Sequence, residues 1–183
     1  MRTITPFAIA AIAALAIPAV AAEIATGAKM PAAFAAKDAG GKPRTLASVA
    51  GKNGTVLVLF RSAKWCPYCQ AQLKELKAAQ APLVTRGYNL VALSYDAPET
   101  LAAFAGKNGI GYTLLSDQNS AMIDTLGLRD PAYEAGSFAA GVPKATTLVI
   151  DRAGTVRWKS VATDYKVRAQ NSAILAAVDG LKK

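Results

Sequence analysis

The sequence predicts an α/β fold, a central mixed sheet flanked by helices in a single domain. Short apolar, β-prone runs alternate with stretches of helical period from residue 55 onward. The chain then closes with a strand hairpin and a final helix. Its length of 183 residues suits one domain with a real core.

The elements are taken in chain order. Residues 23–50 are rich in Ala, Gly and Lys and weakly periodic. Asp38-Ala-Gly-Gly-Lys42 is a turn signal, so an N-terminal arm with a short hairpin is expected. Thr55 to Phe60 is an apolar run after Gly54 and predicts a buried strand. After Cys66, the i, i+4, i+7 spacing of Cys69, Leu73 and Leu76 predicts a helix with one apolar face. Tyr88 to Tyr95 predicts a second strand, and Pro98 suits the first turn of a helix whose inner face is Leu101, Phe104 and Ala105. Tyr112 to Leu115 predicts a third strand. Met122, Ile123 and Leu126 mark a short helix that Gly127 ends. Thr146 to Ile150 and Val156 to Val161 predict two strands joined by an Asp151-Arg-Ala-Gly154 turn. Ile174, Val178 and Leu181 mark the C-terminal helix.

The first residues read as an address. Arg2 is followed by an apolar run from Phe7 to Ile17, then Pro18 and Ala19-Val-Ala-Ala22, with small residues placed for cleavage after Ala21 or Ala22. The run is too short for a comfortable bilayer span. The expected organisation is a signal peptide over 1–22, an arm over 23–50 and the α/β domain over 51–183. The expected location is the periplasm or the exterior, with no stable membrane insertion after cleavage.

Composition excludes several chemistries. The chain has two cysteines, no histidine and a formal net charge of +9. Without histidine there is no Ser-His-Asp triad, Cys-His dyad or imidazole metal site within one chain. Two cysteines cannot build a four-thiolate cluster, and Gln70 stands where a c-type haem motif needs histidine. No metal site and no cofactor beyond the cysteine pair are expected. Nucleic-acid binding has no supporting motif.

The chemistry falls on Trp65-Cys66-Pro67-Tyr68-Cys69, between a predicted strand and a predicted helix. Two intervening residues let the sulfurs meet within one turn. A helix N-terminus offers free N–H groups that favour a thiolate. Pro67 suits the first helical turn. Cys66 is therefore the candidate nucleophile and Cys69 the resolving thiol. Arg61 and Lys64 add positive charge upstream, and Trp65 is a candidate for a partner-docking surface. Three readings remain: thiol redox catalysis, a soft-metal carrier of the copper(I) type, and a binding module with an inert disulfide.

The run Val56-Leu-Val-Leu-Phe-Arg-Ser-Ala-Lys-Trp-Cys-Pro-Tyr-Cys69 resembles the thioredoxin superfamily. Within it, the resemblance is to the alkyl hydroperoxide reductase and thiol-specific antioxidant, or peroxiredoxin-like, branch. Val91-Ala-Leu-Ser-Tyr-Asp96, Tyr112-Thr-Leu-Leu-Ser-Asp117 and Thr147-Leu-Val-Ile-Asp-Arg-Ala-Gly154 follow that branch's order, over roughly residues 28–180. The Cys-Pro-Tyr-Cys choice itself is similar to that of glutaredoxins. The resemblance implies a thioredoxin-like fold and an antioxidant oxidoreductase. Such an enzyme works by disulfide exchange or peroxide reduction on protein thiols, protein disulfides or hydroperoxides, with an electron donor still to be identified. The chain departs from the pattern in three ways. Ala63 and Leu59 stand where peroxiredoxins carry threonine and proline. Phe60, or Leu59, stands where thioredoxins carry a buried acid. Ala145 stands where thioredoxins place a cis-proline and peroxiredoxins an arginine, which leaves Pro143 as the candidate for the cis-proline role.

Overall fold

Period-2 alternation along the apolar strands sets the architecture of the chain. The structure, a computed structural model, describes residues 21–181. The expected signal segment therefore lies outside the described residues, apart from its last two positions.

Seven strands form one sheet in the order β2-β1-β5-β4-β3-β6-β7. They are β1 (Ala36–Asp38), β2 (Pro43–Arg44), β3 (Gly54–Leu59), β4 (Tyr88–Ser94), β5 (Thr113–Ser116), β6 (Thr146–Asp151) and β7 (Val156–Val161). The central β3, β4 and β5 run parallel, an arrangement that needs the helical crossovers between them. β6 lies antiparallel to β3, with Leu59 opposite Thr146, and β7 returns beside β6. The mixed sheet and its antiparallel edge match the expectation, and the fold is thioredoxin-like.

Both faces of the sheet are covered. Val56, Val58, Leu90, Ala92 and Val149 pack one face, together with Leu73 and Leu76 of the region after Cys66 and Ile174 and Val178 near the C-terminus. Leu57, Leu59, Val91, Leu93, Leu148 and Ile150 pack the other, under Ile24, Phe34, Met122 and Ile123. A one-residue slip in β3 would exchange these two sets, so register is strongly specified.

The helices are α1 (Leu46–Val49), α2 (Pro67–Glu75), α3 (Lys77–Thr85), α4 (Pro98–Asn108), α5 (Ala121–Thr125) and α6 (Asn171–Gly180). The predicted helix after Cys66 is α2, with its Cys69–Leu73–Leu76 face buried. The chain does not run helically without a break to β4. Leu76 is at once the last cap of α2 and the first of α3. The segment expected as an arm is joined to the sheet, since its hairpin adds β1 to β5 and Ile24, Met30 and Phe34 enter the core. Residues 127–145 carry no regular element beyond an isolated bridge between Arg129 and Pro143.

Candidate active site

β3 delivers the chain to the C-terminal end of the sheet, where the backbone must turn before α2 begins. Asp96, just past β4, holds that turn. Its carboxylate accepts from Ser62 Oγ at 2.7 Å, Ala63 N at 2.7 Å and Ser94 Oγ at 2.9 Å. Ser62 Oγ in turn accepts from Lys64 N at 2.9 Å and Trp65 N at 3.3 Å. From the other side, Gln70 Nε2 donates to Ala63 O at 2.9 Å. Asp96, Ser62 and Ser94 are buried, so these bonds form where water does not compete.

Cys66 is the N-cap of α2 and Pro67 its first helical residue. Cys66 Sγ accepts from the Cys69 N–H at 3.3 Å. The two sulfurs are joined as a disulfide with Cα atoms 5.3 Å apart. Cys66 is 1% exposed and Cys69 0%. The expected pair is thus brought together at a helix N-terminus. On reduction, the N–H and the helix end both favour a thiolate on Cys66.

The cation that reaches the sulfurs is Arg168, which the sequence reading did not single out. One guanidinium nitrogen lies 3.4 Å from Cys69 Sγ and 3.9 Å from Cys66 Sγ, and the other donates to Gln72 Oε1 at 3.2 Å. The guanidinium also donates from Nε to Tyr165 O. Burial, and secondarily the charge of Arg61, lower the basicity of Arg168 to about 10, so it remains a cation at neutral pH. It takes part in no ion pair among the described residues. A single arginine in an irregular stretch, about a hundred positions from the cysteines, leaves no motif to find.

Arg61 differs from expectation. It does not touch the sulfurs. Its side chain is 1% exposed and its guanidinium carbon lies 4.1 Å from the ring centre of Tyr165, 4.7 Å from Tyr133 and 5.2 Å from Trp65. Ring faces attract a cation, and here they replace solvent. Its Nε and one terminal nitrogen have no hydrogen-bond partner. The influence of Arg61 on the site is carried by its charge, felt at Arg168. Lys64 is exposed and lines a groove with Lys74 and Lys107, away from the sulfurs. Trp65 is half-buried. Its Nε1 donates to Tyr95 Oη at 3.0 Å and its ring meets Phe138 edge-on at 5.3 Å. Phe138 is 77% exposed, and Tyr68 stacks edge-on with Tyr165, so aromatic rings rim the site. Pro143 is buried and bridges to Arg129. No peptide bond among the described residues is cis, so Pro143 does not take the cis-proline role expected of it. Three residues further on, Thr146 pairs with Leu59, so Pro143 lies in the loop before β6 and outside the strand pairing.

Leu59, Phe60 and Ala63, the positions of the missing proline, acid and threonine, are all buried and apolar. Among the described residues, no group of three or more Cys, Asp or Glu side chains is placed to hold a metal.

Comparison with known proteins follows the same lines. The sequence pattern of the AhpC/TSA family matches residues 26–159. A Mycobacterium tuberculosis protein named as a peroxiredoxin is 33% identical over 143 residues, 78% of this chain and 86% of the relative. Peroxiredoxin Bcp of Escherichia coli is 28% identical over 142 residues, 78% of this chain and 88% of the relative. Among solved structures, peroxidoxin BcpB from Mycobacterium tuberculosis superposes with a TM-score of 0.74 at 24% identity, covering 86% of this chain and 98% of that one. Reduced Prx3 from Vibrio vulnificus in complex with hydrogen peroxide gives 0.74 at 21%, covering 85% and 99%. At these identities, the superpositions speak for the fold.

Proposed function

The chain belongs to the AhpC/TSA family, and on that premise we propose that it is an exported thiol peroxidase in which Cys66 attacks the peroxide and Cys69 resolves. It is an oxidoreductase of the peroxiredoxin type, acting on hydroperoxides with thiol reductants. The observation that carries the finer reading is the Cys66–Cys69 disulfide at the N-terminus of α2, with Arg168 against both sulfurs.

The cycle needs no cofactor beyond the cysteine pair. The Cys66 thiolate attacks one peroxide oxygen and the O–O bond breaks. The alkoxide takes a proton and leaves as an alcohol, with Cys66 oxidised to a sulfenic acid. The Cys69 thiol attacks that sulfur, water leaves, and the disulfide forms. Two electrons from an external thiol pair restore both thiols. Arg168 supplies the positive charge beside the reacting sulfur in a site without threonine or histidine. A second reading, disulfide exchange, is favoured by one observation. Ala63 presents no hydroxyl to a bound peroxide.

Peroxide consumption and reduction of a protein disulfide, each with dithiothreitol as electron source, separate the two. Wild type should consume peroxide, and Cys66→Ser should abolish the activity. Equal rates for wild type and Cys66→Ser would sink the enzymatic reading. Export, with a signal over residues 1–22 and arrival in the periplasm or the exterior, is supported by the basic start, apolar run and small-residue site. The intact mass of protein from the exported fraction should begin at Ala22 or Glu23.

A further inference from the structure

A cavity of about 460 Å³ is lined by Arg168, Gln72, Glu75, Asn171 and Ser172 among others. It shares with the redox centre the one guanidinium that touches both sulfurs. Its lining mixes polar and apolar groups, with a single cation and a single carboxylate. Arg168 takes part in no ion pair among the described residues, with Asp164 attracting its charge only from farther off, and the exposed Glu75 carboxylate has no hydrogen bond or ion pair among the described residues. A carboxylate would complete Arg168 and an ammonium would complete Glu75. Cys66 and Cys69 are 1% and 0% exposed and do not line the cavity, so a donor docked there reaches a sulfur only when the Arg168 guanidinium moves aside.

We propose that this cavity docks the reductant, a small zwitterionic thiol that sets its carboxylate on Arg168 and its ammonium on Glu75 and delivers its thiolate to Cys69. The inference rests on the peroxidase reading and names the class of its electron donor. A carboxylate that draws the Arg168 guanidinium toward the cavity also uncovers the sulfur behind it. The donor sulfur then bonds to Cys69 Sγ and the Cys66–Cys69 bond breaks. The electron pair leaves on Cys66, where the Cys69 N–H at 3.3 Å receives the thiolate. The sulfur better stabilised as an anion is the better leaving group. A second thiol attacks the donor sulfur of the mixed disulfide, and Cys69 departs as thiolate and takes up a proton. Two donor thiols become one disulfide as the enzyme disulfide becomes two thiols.

The test reduces the oxidised full chain in a stopped flow at about 0.2 M salt, where long-range steering is screened. Fluorescence of Trp65, beside Cys66, follows the reaction. Cysteine and cysteamine share a thiol and an ammonium and differ by the carboxylate. Per thiolate, cysteine should react about tenfold faster. In Arg168→Met that ratio should collapse toward one. In Glu75→Gln, a change on the surface, cysteine should lose about threefold relative to 3-mercaptopropionate, which lacks the ammonium. A cysteine-to-cysteamine ratio within about twofold in wild type, a ratio that survives Arg168→Met, or no change in Glu75→Gln would overturn the proposal. Peroxide turnover on dithiothreitol, a neutral donor, reads the parent function separately.

Discussion

Arg168 and Cys69 are separated by 99 positions in sequence and 3.4 Å in space, and that contact governs the chemistry at residue scale. The same guanidinium nitrogen lies 3.9 Å from Cys66 Sγ, and its charge favours the thiolate that attacks peroxide there. Burial and Arg61 hold its basicity near 10, so its charge is present at neutral pH and is lost as pH rises through about 10. Arg168→Met should therefore slow oxidation of the reduced enzyme by peroxide about tenfold at neutral pH and move the thiolate's titration to higher pH. A pH profile of the oxidation rate checks this, and superimposable profiles for the two proteins would refute it. Of the two upstream cations that the sequence offered, neither has this role. Lys64 points into solvent, and Arg61 is held by Trp65, Tyr133 and Tyr165. Proximity along the chain is a poor guide to which charge a sulfur meets, because side chains at i−5 and i−2 of a turn leave it in different directions.

At the scale of elements, the loop between β3 and α2 is rigid because Asp96 gathers it. Its three hydrogen bonds to Ser62, Ala63 and Ser94 hold the loop from the end of a neighbouring strand. Asp96→Ala leaves two buried hydroxyls and one buried N–H without their acceptor. It should cost about 2–4 kcal/mol in denaturant unfolding and lower peroxide turnover through misplacement of Cys66. Normal stability in that variant would mean that the loop is held by other contacts. The helix after Cys66 was legible from its Cys69–Leu73–Leu76 stripe. Its break at Leu76 was not, since both flanking segments keep good helix-forming residues and only packing separates them. The covering segment 127–145 was also illegible. Its rings, Tyr133 and Phe138, are recruited by Arg61 and Trp65 and by no periodicity of their own.

For the whole molecule, the N-terminal residues close the fold. Glu23 accepts from Lys159 Nζ at 2.8 Å and Lys144 Nζ at 3.0 Å, which ties the segment before β1 to β7 and to the loop before β6. The hydrogen bond from Lys159, with Lys144 and both charges adding, holds the Glu23 carboxyl below its ordinary value. A depressed carboxyl stabilises the fold above its unfolded pKa, near 4.5, and that stability is lost as pH falls through the lower folded value. Glu23→Gln should thus cost about 1 kcal/mol at neutral pH, a modest figure because the pair is 32% exposed on the carboxylate side. The difference in Tm between variant and wild type should shrink in strong acid. A difference that persists unchanged at low pH would show that the contact is not ionic. Cleavage after Ala21 or Ala22 would leave Glu23, and so this clamp, in the mature chain.

The sequence by itself determined the α/β alternation, the sheet's antiparallel edge and the placing of Cys66 and Cys69 at a strand–helix junction. Each of these rests on local periodicity or on residues within a few positions of one another. It also determined, through the absence of histidine, that chemistry at this site is thiolate chemistry. Tertiary structure alone decided which charge faces the sulfurs, what anchors their loop, and that aromatic rings rim the buried pair. Those outcomes depend on Arg168, Asp96, Tyr133 and Tyr165, which meet Cys66 and its loop only after the sheet has formed. Residues brought together by folding leave no spacing in the chain to be read.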